Sequence, residues 1–217
     1  MCSRYFLDAD GRIIAYTFQV PVHDRIRRRY NIAPTQLAPI VRAKAGAPRE
    51  VELLRWGLVP FWAKDLAVGT RAINARSETA AEKPTFREAF KRRRCLVPAS
   101  GFFEWTGVPG SKQPHALTVP GRELIAFAGL WESWRPPEGE AVETFTILTT
   151  EANAAVAPLH DRMPVVLEEA AYETWLHAPV DAALALLRPY AGPVATRAVN
   201  RLLGSSRHDV PELLDDA

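Results

Sequence analysis

The chain has 217 residues, 47% of them hydrophobic, which is enough to bury one substantial core, so we expect a single globular domain over residues 1–217. Its charged fraction of 24% and formal net charge of +2 exclude a polyanion-binding surface spread over the whole molecule. A polyanion site must therefore be local, and the arginine-rich segments 25–29 and 91–94 are two candidates, although such runs are as often solvated faces.

Short apolar segments, separated by scattered proline and glycine, predict mostly strands. Segments rich in β-branched or aromatic residues predict strands at 12–20, 36–43, 51–58, 94–98, 115–119, 124–131, 143–150, 164–167 and 194–199. Helices are predicted at 83–90, 168–177 and 180–187. This order indicates an α+β fold with a curled, mainly antiparallel, barrel-like sheet flanked by helices.

The two cysteines, Cys2 and Cys95, are far apart and have no partner spaced for a metal or a redox pair, so no metal or other cofactor is expected. The sequence shows no signal peptide and no apolar run long enough to cross a membrane. We therefore expect a cytoplasmic protein with reduced thiols. The acidic segment 205–217 is expected to be solvated and mobile.

The cysteine at position two has an unusual chemical option. Removal of Met1 by an aminopeptidase would expose Cys2 as an N-terminal 1,2-aminothiol, whose α-amine, with a pKa of about 7.7–8.0, is partly neutral at physiological pH. Such an amine attacks aldehydes, and the neighbouring sulfur can then close a thiazolidine ring. The alternatives are a thiol nucleophile or an incidental buried cysteine.

Three further segments place single polar residues within apolar or aromatic surroundings. Segment 71–78 carries Asn74 and Arg76, which suit hydrogen bonding and phosphate binding, although a capped turn is an equal alternative. Glu104 lies among aromatic residues and should have a raised pKa, unless it pairs with an arginine. His160 precedes an apolar run and could act as a general acid or base, or be structural.

The segment around the first tryptophans adds an aromatic-rich element. Trp56 is the better candidate for the core. Trp62, which follows a proline turn and precedes Lys64, is the better candidate for stacking on an unpaired base.

Motifs along nearly the whole chain resemble those of the SRAP family, the SOS response-associated peptidase-like proteins that crosslink to abasic sites. They are MC at 1–2 with RY at 4–5, YNIAPTQ at 30–36, WGLVP at 56–60, WAK at 62–64, NARSE at 74–78, KPTFR at 83–87, RRCLVP at 93–98, GFFEW at 101–105, FAGLWE at 127–132, FTILTTEAN at 145–153 and HDRMP at 160–164. Their number and order make the resemblance specific.

The resemblance implies a protein that crosslinks to abasic sites in single-stranded DNA. We expect a monomer without a cofactor or a membrane partner, associated with the nucleoid if the source is bacterial. The resemblance implies that Cys2 is the crosslinking residue, that Asn74 orients it, and that Glu104 and His160 transfer protons. It also implies DNA contacts, more loosely assigned, at Arg4, Trp62, Arg76, Arg87, Trp105, Thr149 and Arg162. The family usually has glycine where this chain has Ser3, which predicts a changed rate rather than lost activity.

Two other functions fit some of the same residues. A thiol peptidase or autopeptidase would use Cys2 as nucleophile, His160 as base and Asn74 as the orienting group. A non-catalytic single-strand binder needs only the arginines and tryptophans and leaves Cys2, Asn74, Glu104 and His160 unexplained.

Overall fold

A computed structural model describes residues 2–43, 47–108 and 110–217 of the chain. The strands are β1 (Tyr5–Leu7), β2 (Arg29–Ile32), β3 (Leu37–Ala43), β4 (Arg49–Trp56), β5 (Asn74–Arg76), β6 (Arg94–Ala99), β7 (Gly101–Thr106), β8 (Gln113–Thr118), β9 (Ile125–Trp134), β10 (Val142–Glu151), β11 (Arg162–Pro164), β12 (Val166–Leu167) and β13 (Ala195–Ala198). The α-helices are α1 (Gly11–Phe18), α2 (Arg87–Arg92), α3 (Tyr172–His177) and α4 (Val180–Leu184). Short 3-10 helices lie at Leu66–Arg71, Glu169–Ala171, Arg201–Gly204 and Pro211–Leu214.

Five strands close into a barrel in the order β10, β4, β3, β6, β9 and back to β10. All neighbours are antiparallel except β4 and β10, which are parallel. Short strands β5 and β11 extend the barrel by pairing with β10, and β12 pairs with β9. The predicted α+β fold with a curled, mainly antiparallel barrel is therefore confirmed.

A second, antiparallel sheet in the order β13, β8, β7, β1, β2 packs on this barrel. Its inner face contributes Tyr5, whose ring lies 5.2 Å from the ring of Trp56 and 6.0 Å from that of Phe127. Its outer face contributes Phe6 and Phe103 to a smaller cluster under the C-terminal residues. Because side chains alternate along a strand, β1 and β7 lie between two apolar layers.

Gly101 allows β7 to approach its neighbours closely. A Cβ atom at this position would lie 2.5 Å from the carbonyl oxygen of Leu117 and 2.6 Å from the ring of Phe6. Only glycine fits between β1 and β8 here. The close packing at Gly101 thus fixes the start of β7, three residues before Glu104.

The predicted strand at 12–20 is wrong, because Gly11–Phe18 forms helix α1. The Asp10 side chain caps the helix by accepting hydrogen bonds from the backbone N–H groups of Arg12 and Ile13 at 2.9 and 3.1 Å. Ile14 and Phe18, one turn apart, are buried, while Tyr16 is 89% exposed. Large apolar or aromatic residues at every second position resembled the pattern of a strand. Only the two that lie one helical turn apart are buried, as expected for a helix.

The other predicted elements have a mixed outcome. Seven predicted strands, at 36–43, 51–58, 94–98, 115–119, 124–131, 143–150 and 194–199, are confirmed with shifted ends as β3, β4, β6, β8, β9, β10 and β13. The strand predicted at 164–167 is divided into β11 and β12. The helix predicted at 83–90 begins at Arg87, after turns, and the helices at 168–177 and 180–187 are shortened to α3 and α4. Among the residues that the structure describes, no helix is long and apolar enough to cross a membrane.

The arginine-rich segments mainly stabilise the fold. Arg28, Arg29 and Arg93 form ion pairs with Asp8, Asp209 and Glu132, respectively. Arg94 is buried and donates hydrogen bonds to backbone carbonyl groups, among them that of Phe90 at 2.8 Å. These four cations are therefore already partnered within the protein.

The C-terminal residues 199–216, which we call the C-terminal strap, lie against the second sheet. The Asn31 amide donates hydrogen bonds to the carbonyl groups of Ser205 and His208 at 3.0 and 2.9 Å. The Asp209 carboxylate accepts from the backbone N–H groups of residues 30 and 31. Leu213 is 1% exposed. The expectation that the acidic residues of segment 205–217 are solvated is therefore wrong for Asp209, which holds the strap to β2.

Candidate functional site

Cys2 is fully buried just before β1. The amide of Asn74 donates a hydrogen bond of 2.8 Å to the Cys2 carbonyl oxygen. Asn74 begins β5, which is fixed by parallel pairing with β10. The Asn74 Oδ1 atom is buried and has no hydrogen-bond partner among the described residues. The structure thus brings together Cys2 and Asn74, which are 72 positions apart in sequence. It also leaves Oδ1 of Asn74 as an unused hydrogen-bond acceptor next to Cys2.

The thiol of Cys2 is in an environment that keeps it protonated. Its Sγ atom lies 3.6 Å from the carbonyl oxygen of Arg4, to which it donates. Burial and the nearby carboxylate of Glu104 raise the thiol pKa well above its ordinary value. The thiolate is therefore scarce at neutral pH.

Glu104 lies on β7, next to the chain that leads into β1. It is 4% exposed, and its Oε1 atom has no hydrogen-bond partner in the described part of the chain. Burial raises its pKa to about 7, so the carboxyl can both donate and accept a proton near neutral pH. The alternative of a structural pair with an arginine is not found within the described ranges.

His160 lies in the turn between β10 and β11, with 28% of its side chain exposed. Its Nδ1 atom accepts a hydrogen bond of 2.9 Å from the backbone N–H of Arg162 and lies 2.8 Å from Oδ1 of Asp161. Partial burial lowers its pKa below the ordinary value, so the ring is neutral at pH 7. Uptake of a proton at Nδ1 would replace the Arg162 contact by a hydrogen bond to the Asp161 carboxylate, which would stabilise the charged ring.

Glu104 and His160 line one cleft of about 520 Å³. Its walls are formed by Ser3, Arg4, Glu104, Trp105, Gly110, Lys112, His160, Arg201 and Gly204. Two of the residues expected to contact DNA, Arg4 and Trp105, are in this set. Cys2 precedes the lining residue Ser3 and is close enough to Glu104 for that carboxylate to raise the pKa of its thiol.

A second group of the expected DNA contacts lies along the barrel edge. Thr149 on β10 is opposite Arg76 of β5 in the strand register, and its carbonyl accepts from Arg162 at 2.6 Å. Arg162 also holds Glu78 through two contacts of 2.6 and 2.9 Å. Because this bidentate pair occupies the guanidinium, Arg162 could contact DNA either by leaving Glu78 or from its present position against Glu78.

The remaining two expected DNA contacts lie outside the cleft. Trp62 follows β4 in a loop and is 52% exposed, whereas Trp56 is fully buried in the core, as its sequence context indicated. Arg87 begins α2 and is exposed. The structure does not bring either of them to the residues around Cys2.

Sequence reasoning missed two cationic residues of the cleft, Lys112 and Arg201. Lys112 lies in the turn before β8, and Arg201 begins the 3-10 helix in the C-terminal strap. Neither belongs to an arginine-rich segment or to one of the motifs. Only the pairing of β7 with β8 and the position of the strap bring them to the cleft.

Comparison with known proteins gives a consistent result. The family model described as SOS response associated peptidase (SRAP) matches residues 1–206. The chain is 37% identical to the abasic site processing protein YoqW of Bacillus subtilis (strain 168), over 99% of each chain. It is 32% identical to the abasic site processing protein HMCES of Gallus gallus, over 88% of this chain and 66% of that protein. A crystal structure of a protein from Bacteroides thetaiotaomicron is similar over 100% of both chains, with a TM-score of 0.87 and 26% identity.

Proposed function

Since the chain belongs to the SOS response associated peptidase (SRAP) family, we propose that it processes abasic sites by crosslinking to them in single-stranded DNA through Cys2. The observation that carries the proposal is the hydrogen bond from Asn74 to Cys2 beside a cleft that contains Glu104 and His160. Removal of Met1 would make Cys2 the N-terminal residue. The names of the relatives, abasic site processing proteins, support the substrate.

The α-amine of Cys2 is the first nucleophile in this mechanism. The open-chain form of an abasic sugar carries an aldehyde at C1′, to which the neutral amine adds to give a carbinolamine. Loss of water then gives an imine. The Sγ–H group of Cys2 adds across the C=N bond, forming the C–S bond and leaving the proton on nitrogen, which closes the thiazolidine.

The buried thiol supports this order of events. Because its raised pKa keeps it protonated, attack by a thiolate on a peptide carbonyl is disfavoured at neutral pH. The α-amine has no such restriction, since its ordinary pKa is about 7.7–8.0. The same observation gives a thiol peptidase less support than an aldehyde-directed aminothiol.

Glu104 and His160 supply the proton transfers in the proposal. Glu104, with a pKa of about 7, can protonate the hydroxyl that leaves the carbinolamine and can accept a proton as the amine adds. Once protonated at Nδ1, beside the Asp161 carboxylate, His160 can donate its Nε2 proton to the ring oxygen of the sugar and so speed ring opening. Asn74 Oδ1, which lacks a partner among the described residues, is an acceptor for the Cys2 amine.

The DNA strand follows the residues that line the cleft and the barrel edge. Arg4 and Trp105 would contact the nucleotide at the lesion, and Arg76 and Arg162 would contact the adjoining backbone. Thr149, also expected to contact DNA, is 1% exposed and would instead hold Arg162 through its carbonyl oxygen. Trp62 and Arg87, more distant, would contact bases and phosphates further along the strand. Since a missing base leaves nothing to read, we expect binding with little sequence preference and with strong salt dependence.

A denaturing gel tests the proposal. The purified chain is mixed with single-stranded DNA that contains one abasic site, and a shifted band that survives denaturation is expected. Cys2→Ala should abolish the band, whereas Cys95→Ala, which removes the other buried thiol, should retain it. No shift with the unmodified chain, or an equal shift with Cys2→Ala, would contradict the proposal.

A further inference from the structure

The cleft beside Cys2 has a cationic wall, which we call the strap wall and define as Lys112 and Arg201. Both side chains line the cleft, and both are exposed. They come from different parts of the chain, one from the β7–β8 turn and one from the C-terminal strap. Among the described residues, neither has a carboxylate within ion-pair distance.

Arg201 is held in place by a chain of hydrogen bonds. Its Nε atom donates to Oε1 of Gln113 at 3.0 Å. The amide nitrogen of Gln113 in turn donates to the carbonyl of Val199 at 2.8 Å, which fixes the strap to β8. With Nε occupied, the two terminal nitrogens of the guanidinium have no hydrogen-bond partner among the described residues. This is the geometry in which arginine grips an oxyanion with two donors.

The strap itself is anchored, so this wall is a built part of the cleft. Asn31 contacts three strap carbonyls, those of Leu203, Ser205 and His208, at 3.3, 3.0 and 2.9 Å. The Asp209 carboxylate binds the β2 backbone. These contacts lie on either side of the turn that follows Arg201.

The charge balance of the cleft favours an anion. Arg4, Lys112 and Arg201 are cationic, whereas the carboxyl that lines the cleft is Glu104, which is only partly ionised near pH 7 because burial raises its pKa. The Asp161 carboxylate lies nearby but contacts His160. A phosphodiester group that enters the cleft would meet these three cations, none of which has an ion-pair partner among the described residues.

We propose that Lys112 and Arg201 bind a backbone phosphate immediately flanking the lesion, on the side of the strand that faces the C-terminal strap. This inference rests on the proposed function, because it assumes that DNA occupies the cleft. It adds two phosphate-binding residues outside the motifs that the family resemblance covers. The strand would then be gripped on both sides of the reacting sugar, which positions C1′ against Cys2.

The test measures non-covalent binding in a Cys2→Ala background, with single-stranded DNA that carries a tetrahydrofuran analogue of the abasic site. Fluorescence anisotropy gives the Kd at several salt concentrations. Lys112→Gln/Arg201→Gln should weaken binding about tenfold at low salt and reduce the slope of log K against log salt by about 0.7. Arg12→Gln/Arg188→Gln, which removes two exposed charges outside this cleft, should change neither value.

Methylphosphonate substitution identifies the phosphate. Neutralising one flanking phosphate should weaken binding of the parent protein but not of the strap-wall variant, because the contact is already lost there. Equal slopes for the two double variants, or additive losses at every phosphate tested, would overturn the inference. A missing crosslink in wild type would instead overturn the proposed function, since the anisotropy assay does not depend on the reaction.

Discussion

Replacement of Glu104 by glutamine removes a buried carboxyl whose Oε1 atom has no hydrogen-bond partner among the described residues. Burial raises the carboxyl pKa from its ordinary 4.5 to about 7. Between these pH values the unfolded chain has released the proton and the folded chain retains it, so the free energy of unfolding decreases as pH rises. Above about pH 7 both states are ionised and the penalty is complete. One pKa unit corresponds to about 1.4 kcal/mol, which gives a total of about 3 kcal/mol.

The measurement compares urea unfolding of wild type and Glu104→Gln from pH 5 to pH 8. Between pH 5 and pH 8, the free energy of unfolding of wild type should fall by about 2.5 kcal/mol relative to that of Glu104→Gln, because glutamine does not titrate. Glu140→Gln, which replaces an exposed carboxyl, should shift by less than about 0.5 kcal/mol. A parallel pH dependence for wild type and Glu104→Gln would refute the reasoning about burial.

The same variant tests the role of Glu104 in the reaction. In the chain without Met1, Glu104→Gln should slow crosslinking by roughly 10²-fold, the ordinary contribution of a proton-transfer group. A crosslinking rate equal to that of wild type would contradict this role.

Three further outcomes follow from single contacts. Asn74→Ala should slow crosslinking about tenfold without weakening DNA binding in the Cys2→Ala background, because it frees the Cys2 carbonyl; a loss confined to DNA affinity would count against this role. Asp209→Ala should lower the free energy of unfolding by about 2–3 kcal/mol in urea, since two backbone N–H groups lose their acceptor, and a neutral result would show that the strap is not anchored there. Iodoacetamide should label Cys95 slowly in the native protein and rapidly in urea, as its thiol is buried and its pKa is raised; rapid native labelling would contradict the packing.

The barrel was largely predictable from sequence because its strands are long and apolar. Segments such as 94–98 and 143–150 combine β-branched and aromatic residues over most of their length, and both form strands close to the predicted ends. Helix α1 was mispredicted because Ile14, Tyr16 and Phe18 alternate as in a strand. The Asp10 cap was the signal that favoured a helix.

The strands that build the site were harder to predict. β1, β5 and β7 are short or interrupted by polar residues, and Asn74 resembled a turn residue as much as a strand residue. Their pairing depends on long-range contacts, such as the parallel register of β5 with β10, which no local pattern encodes. Sequence could therefore name Cys2, Asn74, Glu104 and His160 as separate candidates, and the resemblance grouped them.

The cationic wall of the cleft could not have been found from spacing. Lys112 and Arg201 are isolated charges in sequence, 89 positions apart, with no motif around either of them. By contrast, the arginine-rich segments attracted attention as polyanion sites, yet four of their arginines are used by ion pairs or backbone contacts. Local charge density was thus a poor guide to which cations are available.

The most direct test of the central claim is the intact mass of the adduct between the protein and abasic single-stranded DNA. We expect the mass of the DNA plus the chain without Met1, less one water, and no change on treatment with sodium borohydride, because a thiazolidine has no C=N bond to reduce. Peptide mapping should place the DNA on Cys2. An adduct on a chain that retains Met1, or one attached to another residue, would contradict the account.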